Sequence, residues 1–466
     1  MALKKTISGF RGTIGNQPGE NLTPIDIVQF TSAYCSWLIE TGRAKKIIIG
    51  RDARISGDMV NKLVTATAMG MGIDIVDLGL STTPTVEMAV PMAEAGGGII
   101  LTASHNPKEW NALKLLNEKG EFISAKDAQR VLDLVDAGSY SFAEVNHLGS
   151  YTTDDTYLEK HIEAILEIPL VDKAVIEAAN FKVLVDAVNS SGGIAVPAML
   201  RALGVTDIIE LNCEPTGQFA HNPEPLPANL SQASSTIKKE NADLGIVVDP
   251  DVDRLAFINE DGTMFGEEYT LVAVADYILQ NHPGNTVSNL SSTIALRQVT
   301  EKYNGEYHSA AVGEVNVVEK MKAVNAVIGG EGNGGVIYPA LHYGRDALVG
   351  IALFLTHLAK ANMPISHLRG QYPKLHISKN KINLEKGMDV NVFIEGVSEK
   401  YKVREQNHED GLKIYFDDSD WVHLRESNTE PIIRIYSEST TEVAANNLAD
   451  KIKADIREIM QEKGMV

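Results

Sequence analysis

Along most of the chain, short apolar runs end in a polar loop and are followed by stretches whose apolar positions recur at helical spacing. Residues 45–50 (Lys-Lys-Ile-Ile-Ile-Gly) form such a run, an arginine-bearing loop follows, and residues 59–71 then carry helical spacing. The theme returns at residues 73–79, 98–101, 181–186, 244–249 and 326–330, and residues 345–358 form a long helix-like stretch. Runs short enough to be buried strands, alternating with amphipathic segments, predict α/β domains. Sheets of that kind present their binding loops beyond the carboxyl ends of their strands. Loops directly after an apolar run are therefore where chemistry is expected.

The pattern changes near the end of the chain. Residues 389–393 and 412–416 alternate apolar and polar like half-exposed strands, as do residues 432–436. A last helix is predicted from Ser439, with Glu442 three positions on completing a capping box and Leu448, Ile452, Ile456 and Ile459 on one stripe. This describes a small α+β domain. At 466 residues the chain exceeds the ~250–300 at which a single core stops growing. The pattern divides it into α/β domains at 1–150, 151–257 and 258–370 and an α+β domain at 371–466.

Hydrophobic residues make up 44% and charged residues 22%, the balance of a folded globular protein rather than a disordered one. No long apolar segment stands behind the first lysines, so no signal peptide is expected, and the apolar stretch 348–359 falls short of the ~20 residues a membrane crossing needs. Two cysteines, Cys35 and Cys213, make neither a disulfide framework nor a zinc cluster, which fits a reducing, cytoplasmic setting. The formal charge of −20 disfavours nucleic acid and membrane as partners. It would also repel a phosphorylated metabolite unless positive charge were concentrated locally. That draws attention to Arg51 and Arg54, to Arg254, and to Arg425 with Arg434.

The strongest local signal is Asp249-Pro250-Asp251-Val252-Asp253-Arg254, directly after an apolar strand. Three carboxylates at alternate positions, turned by a proline, can converge on one hard cation. Oxygen donors without histidine or cysteine favour Mg²⁺ over zinc. Taken alone, the loop also reads as an acidic solvated turn, but clustered carboxylates repel one another unless a cation neutralises them.

Thr102-Ala103-Ser104-His105-Asn106-Pro107 follows another apolar strand. An exposed serine hydroxyl on such a loop can accept or donate a phosphoryl group, and a phosphoserine could complete the coordination of a metal. Asn111 and Lys114 follow at spacings that can turn back toward the loop. The same residues alone describe a polar turn with Ser104 as a helix cap. No G-x-S-x-G elbow surrounds the serine, so an acyl-transferring triad has little support.

Arg425-Glu426-Ser427-Asn428-Thr429-Glu430-Pro431, with Arg434 beyond, combines two arginines, two hydroxyls and an amide, a receptor for a phosphate dianion or else a turn between two strands. Gly329-Gly330-Glu331-Gly332-Asn333-Gly334-Gly335 lacks the lysine and spacing of a P-loop or dinucleotide fingerprint. Its glycines let backbone approach a ligand, and Glu331 and Asn333 suit sugar hydroxyls; a flexible loop is the alternative.

In this combination and order the sequence resembles the α-D-phosphohexomutase family, of the bacterial phosphoglucosamine mutase and phosphomannomutase/phosphoglucomutase type. The resemblance begins at Gly9-Phe10-Arg11-Gly12-Thr13, passes through residues 102–107, 249–254 and 330–335, and closes at 425–431. It implies a four-domain phosphohexomutase architecture, three related α/β domains plus a C-terminal α+β domain around a central cleft. It implies that Ser104 carries a phosphoryl group, that Asp249, Asp251 and Asp253 bind Mg²⁺ together with Ser104, and that Glu331 and Asn333 read the sugar. Arg425, Ser427, Asn428, Thr429 and Arg434 would hold the non-reacting phosphate, with Arg254 nearby as a substrate contact. Arg11 and Lys114 match basic residues near the phosphoserine.

One departure matters. Relatives often end the sugar loop with Gly-His, and this chain has Gly334-Gly335. An imidazole acid or base at that position is absent, so either Lys114, His105 or His308 compensates or the position does not need to titrate. The implied reaction interconverts a hexose 6-phosphate and its 1-phosphate through a bisphosphorylated sugar, with glucose 1,6-bisphosphate or an analogue as activator and a monomer or homodimer as the working form. Phosphoglucosamine mutase activity is the leading expectation, phosphoglucomutase/phosphomannomutase activity the alternative. A sugar-phosphate binding protein or a metal-dependent phosphatase is the reading from a different class.

Overall fold

The computed structural model describes residues 3–6, 9–384, 389–427 and 432–462. A seven-stranded sheet runs in the order Lys4–Thr6, Gly9–Thr13, Trp110–Leu116, Gly97–Leu101, Lys46–Arg51, Asp74–Leu80, Tyr151–Thr153. Strand Lys46–Arg51 pairs in parallel with both of its neighbours, because the crossovers between them are helices. Ile47 and Ile49 share a core with helices Pro24–Glu40, Gly57–Gly70 and Ala125–Ala137, and the intervening Ile48 is fully buried on the opposite face. Strands covered on both faces are what the uninterrupted apolar runs require.

The arrangement repeats. Lys182–Asp186 lies between Asp207–Leu211 and Leu244–Val248, all parallel, with Leu255–Asn259 antiparallel at the edge. Thr286–Asn289 lies between Tyr307–Ala310 and Ile328–Glu331, again parallel. In each of the three sets the first strand sits between the second and third, so the three α/β segments are related in topology.

The chain forms two compact units, Met1–Asn281 with Asn333–Arg369, and His282–Gly332 with Gly370–Val466. In the first, helices Glu267–Asn281 and Ala347–Ala361 pack together, and Phe354 stacks on Phe257 at 3.8 Å between ring centres. Asp346 caps the second of these helices, accepting from the backbone N–H of Leu348 and Val349. Among the described residues no helix is long and apolar enough to cross a membrane.

In the second unit, five antiparallel strands run in the order His376–Asn383, Ile432–Ser439, Trp421–Glu426, Leu412–Tyr415, Glu405–Asn407. Helices Val390–Lys400 and Glu442–Glu462 share a core with them, with Ile452, Ile456 and Ile459 buried as the stripe predicted. Residues 389–393 are not the expected strand. Asp389 accepts from the N–H of Asn391 at 2.9 Å and starts a helix whose buried residues Val390, Phe393 and Val397 recur at helical steps. The last helix also begins later than expected, since Ser439 ends a strand and Thr441 Oγ1 accepts from the N–H of Ala444 at 3.1 Å. Buried polar contacts tie the antiparallel sheet to residues 282–332. Lys413 Nζ donates to the Leu290 carbonyl at 2.7 Å, and Glu438 Oε2 accepts from the N–H of Ile294 at 2.9 Å and from Trp421 Nε1 at 2.6 Å.

Candidate active site

The strand Gly97–Leu101 is buried throughout and delivers Ser104 to its carboxyl end. Thr102 Oγ1 donates to Asp52 Oδ2 at 2.6 Å and accepts from the N–H of Ser104 at 2.9 Å. Arg54 is itself 1% exposed and wraps the loop from outside. Its guanidinium donates to the carbonyls of Asn106 and Pro107 at 2.6 Å, of Trp110 at 3.0 Å and of Ser104, while Nε pairs with Asp52 Oδ2 at 2.9 Å. The positive charge read from the sequence as local attraction for phosphate is thus used by Arg54 to shape the serine loop. That clamp holds Ser104 at φ +50°, a left-handed conformation uncommon for a residue with a side chain.

Ser104 is not the exposed hydroxyl expected from a surface loop; it is 3% exposed. Its Oγ donates to Asp249 Oδ2 at 2.7 Å, and His105 Nδ1 lies 3.4 Å away. Arg11, on strand Gly9–Thr13, donates from Nη1 to Asn106 Oδ1 at 2.9 Å. Asn111 turns instead to Ser56 Oγ at 2.9 Å.

Asp249, Asp251 and Asp253 are fully buried, and one carboxylate oxygen from each lies within 4.8 Å of the others. The turn is closed by Asp249 Oδ1, which accepts from the N–H groups of Asp253 and Arg254, and by a left-handed Val252. Lys114 Nζ pairs with Asp251 Oδ2 at 2.7 Å and Asp253 Oδ2 at 3.4 Å. Thr83 donates to Asp251 Oδ2 at 2.5 Å and Arg345 Nη2 to Asp253 Oδ2 at 2.7 Å. Thr83 and Arg345 were not among the residues singled out by sequence, and Arg54 was singled out only as local positive charge. Asp251 Oδ1 and Asp253 Oδ1 are buried with no hydrogen-bond partner. Acceptor atoms left over on two buried carboxylates, in an oxygen-only donor set, fit a hard divalent cation.

The electrostatics are those of a crowded buried site. Burial, then Asp251 and Asp253, hold the Asp249 carboxyl well above the usual range. Burial would raise Asp251 as well, but Lys114 and hydrogen bonds from Lys114 and Thr83 outweigh it and the net shift is downward. Burial would lower Lys114, yet Asp251 and Asp253 raise it on balance. His105 is pushed well below its ordinary value by burial and by Arg254, Arg11 and Arg345. Burial also lowers Arg11. Arg254 pairs with Glu224 at 3.0 Å.

In the second unit, Glu331 Oε1 accepts from Asn289 Nδ2 at 2.8 Å and from the N–H of Gly313 at 3.2 Å. Arg425 and Arg434 are direct cross-strand partners. Ser427 donates its N–H to the Ile432 carbonyl at 3.1 Å, while Asn428 and Thr429 lie outside the described residues. His308 sits on strand Tyr307–Ala310, with Nε2 3.6 Å from Glu306.

Matches to known proteins cover nearly the whole chain. Residues 3–141, 159–262 and 266–375 match the alpha/beta/alpha domains I, II and III described for phosphoglucomutase/phosphomannomutase, and residues 382–455 match the C-terminal domain. The chain belongs to the phosphoglucomutase/phosphomannomutase family. It is therefore a phosphohexomutase, an intramolecular phosphotransferase of the isomerase class. A phosphoglucomutase/phosphomannomutase of Thermococcus kodakarensis is 33% identical over 442 residues, covering 93% of this chain and 95% of that protein. A phosphoglucosamine/phosphogalactosamine mutase of Sulfurisphaera tokodaii is 31% identical over 452 residues, covering 96% and 97%. The crystal structure of a phosphoglucomutase/phosphomannomutase family protein from Burkholderia thailandensis shares the fold, with a TM-score of 0.83 at 24% identity over 99% of this chain and 98% of that one.

Within this phosphohexomutase, the glycine at position 335 has a steric reason. A Cβ there would lie 2.3 Å from Cδ of Arg345, the residue that pairs with Asp253. The guanidinium stem fills the space that a histidine side chain would need. Asn333 Oδ1 accepts from the N–H of Gly335 at 3.2 Å and shapes the same turn.

Proposed function

We propose that this phosphohexomutase interconverts glucosamine 6-phosphate and glucosamine 1-phosphate, with Ser104 as the phosphoryl carrier. The observation that carries the reading is the 2.7 Å bond from Ser104 Oγ to Asp249 inside a buried acidic triad. In the forward half-reaction the bond from Ser104 Oγ to phosphorus breaks as the free sugar hydroxyl bonds to it. The proton lost by that hydroxyl is balanced on Ser104 Oγ. The bisphosphorylated sugar then presents its other phosphate to Ser104, and the same exchange runs in reverse. The same bisphosphosugar, glucose 1,6-bisphosphate or an analogue, would act as activator by phosphorylating a bare serine.

Mg²⁺ held by Asp249, Asp251, Asp253 and the phosphoserine would offset charge on the transferring phosphoryl group. Lys114, anchored between two carboxylates, serves as a fixed positive charge, and Arg11 adds a second beside the serine loop. His105, with Nδ1 3.4 Å from Oγ, is the side-chain nitrogen placed beside the serine for proton transfer. Arg425, Ser427, Asn428, Thr429 and Arg434 grip the non-reacting phosphate; Glu331, Asn333 and Arg254 contact the sugar phosphate. On this reading residues 1–150 supply the serine, 151–257 the metal loop, 258–370 the sugar loop and 371–466 the phosphate grip. The free thiols of Cys35 and Cys213 support a cytoplasmic setting.

The choice of an amino sugar is supported by the Sulfurisphaera relative, and phosphoglucomutase/phosphomannomutase activity is the second reading, supported by the Thermococcus relative. Comparing kcat/KM for glucosamine 6-, glucose 6- and mannose 6-phosphate in one assay decides between them. A dominant glucose or mannose activity would overturn the amino-sugar assignment. A binding-only role is disfavoured by the intact serine and triad, and a phosphatase by the separate phosphate grip, which hydrolysis does not need.

A further inference from the structure

A second cluster of metal-binding side chains lies in the first unit, made by residues outside the phosphoryl-transfer machinery. His161 comes from helix Tyr157–Leu166, His342 from a turn closed by the Tyr338 carbonyl, and Asp346 from the cap of helix Ala347–Ala361. His161 Nε2 is 2.9 Å and His342 Nε2 3.3 Å from the same oxygen, Asp346 Oδ2. The three donor atoms lie within 4.8 Å of one another. We propose that His161, His342 and Asp346 bind a transition-metal dication such as zinc, at a site separate from the aspartate triad.

Two imidazoles and one carboxylate select a borderline metal over Mg²⁺ or Ca²⁺, which take oxygen donors. Metal–ligand bonds of about 2.0–2.1 Å in a tetrahedron place donor atoms about 3.3 Å apart, against 2.9 and 3.3 Å from the two histidines to Asp346 Oδ2 and at most 4.8 Å between any two of the three. Two of the ligands are also oriented from behind. His161 Nδ1 is 3.0 Å from Thr85 Oγ1, and Asp346 Oδ1 is fixed by two helix N–H groups, while His342 Nδ1 faces the Glu87 carboxylate at 3.6 Å. Outer partners of this kind are what a metal site uses to set tautomers and ring directions. His161 and Asp346 are fully buried, whereas the His342 side chain is 11% exposed and gives the route in.

The consequence reaches the first site. Asp346 is adjacent to Arg345, which donates to Asp253, and Glu87 stands one turn beyond Thr83, which donates to Asp251. A metal at this cluster would pin three separated segments, residues 83–92, 157–166 and 342–346, in the arrangement that presents Arg345 and Thr83 to the triad. Its role is positional, and it stands independently of which sugar is used.

The test uses the full chain, stripped with chelator, dialysed, and titrated with Co²⁺ in excess Mg²⁺. One equivalent of Co²⁺ should bind with visible d–d absorption of a nitrogen-ligated centre and raise Tm by several degrees. His342→Gln and His161→Gln should each lose the band and the Tm rise, while Asp251→Asn keeps both. X-ray absorption at the zinc edge of the wild-type protein, loaded with one equivalent of Zn²⁺ in the same excess Mg²⁺, provides a reading that does not depend on a variant folding, and should show a first shell containing two imidazoles. An oxygen-only shell, a band retained by His342→Gln, or a band lost only in Asp251→Asn overturns the proposal.

Discussion

Arg425 and Arg434 face each other directly across two antiparallel strands. Like charges in that position repel, and Arg425 is lowered further by burial and by Arg434 itself, with Asp410 opposing. A phosphate dianion bound as proposed would relieve this repulsion. Arg425→Ala should raise KM for the sugar phosphate by about 10- to 100-fold, the range of a lost charged hydrogen bond, with a smaller change in kcat. Its Tm without substrate should equal or exceed that of the wild type. An unchanged KM would remove Arg425 from the phosphate grip.

Ser104→Ala should abolish turnover while calorimetric affinity for the sugar phosphate stays within about threefold, since binding rests on other loops. Residual turnover at the wild-type rate would disprove a phosphoserine carrier. Transfer of ³²P from labelled bisphosphosugar to the wild-type chain, absent in the variant, checks the same point.

Arg54→Ala should cost about 3–5 kcal/mol in denaturant unfolding, because Asp52 is left as a buried unpaired charge and the carbonyls of the Ser104 loop lose their donor. Arg54→Lys should recover only part of this, as an ammonium cannot span those carbonyls. A loss below about 1 kcal/mol for the alanine variant would mean that the loop holds its shape without the clamp.

The serine loop and the acidic triad were legible because each follows a fully buried apolar strand and is read within six consecutive residues. The triad at 249–253 and the loop at 102–107 needed no distant partner to be noticed. Thr83 and Arg345 were not legible, nor was the clamping role of Arg54, which the sequence marked only as positive charge, since these contacts are made to partners 168, 92 and 50 residues away. Residues 389–393 misled for a different reason. In a window of five residues, Val390 and Val392 satisfy strand alternation and Val390 and Phe393 satisfy helical spacing, and Val397, which decides it, lies outside the window.

Gly335→His forces Arg345 from its place, because even a Cβ comes within 2.3 Å of the Arg345 side chain. The variant should lose at least about tenfold in kcat/KM as the bond from Arg345 to Asp253 is broken. Combining it with Arg345→Ala makes room for the imidazole, so the two substitutions should couple by roughly 0.5–3 kcal/mol rather than add. Additive losses would show that the space at 335 and the position of Arg345 are independent.

His423 gives the second unit a specific sensitivity to acid. Its ring is 1% exposed, donates from Nε2 to the Asp410 carbonyl at 2.7 Å and accepts at Nδ1 from Ser291 Oγ at 2.9 Å. Burial, with Lys413 and Arg425 adding to it against the Asp410 carbonyl, lowers its pKa to about 3. The unfolded chain, with an ordinary value near ~6.5, then binds more protons than the folded one as pH falls. Stability associated with this group is complete above ~6.5 and declines between there and the folded value, by roughly 1 kcal/mol per pH unit. Unfolding of the wild type followed from pH 7 to pH 4 should show that slope, and His423→Gln should be less stable at pH 7 yet show a shallower decline. Equal slopes for the two proteins would mean that other groups, not this buried imidazole, set the acid limit.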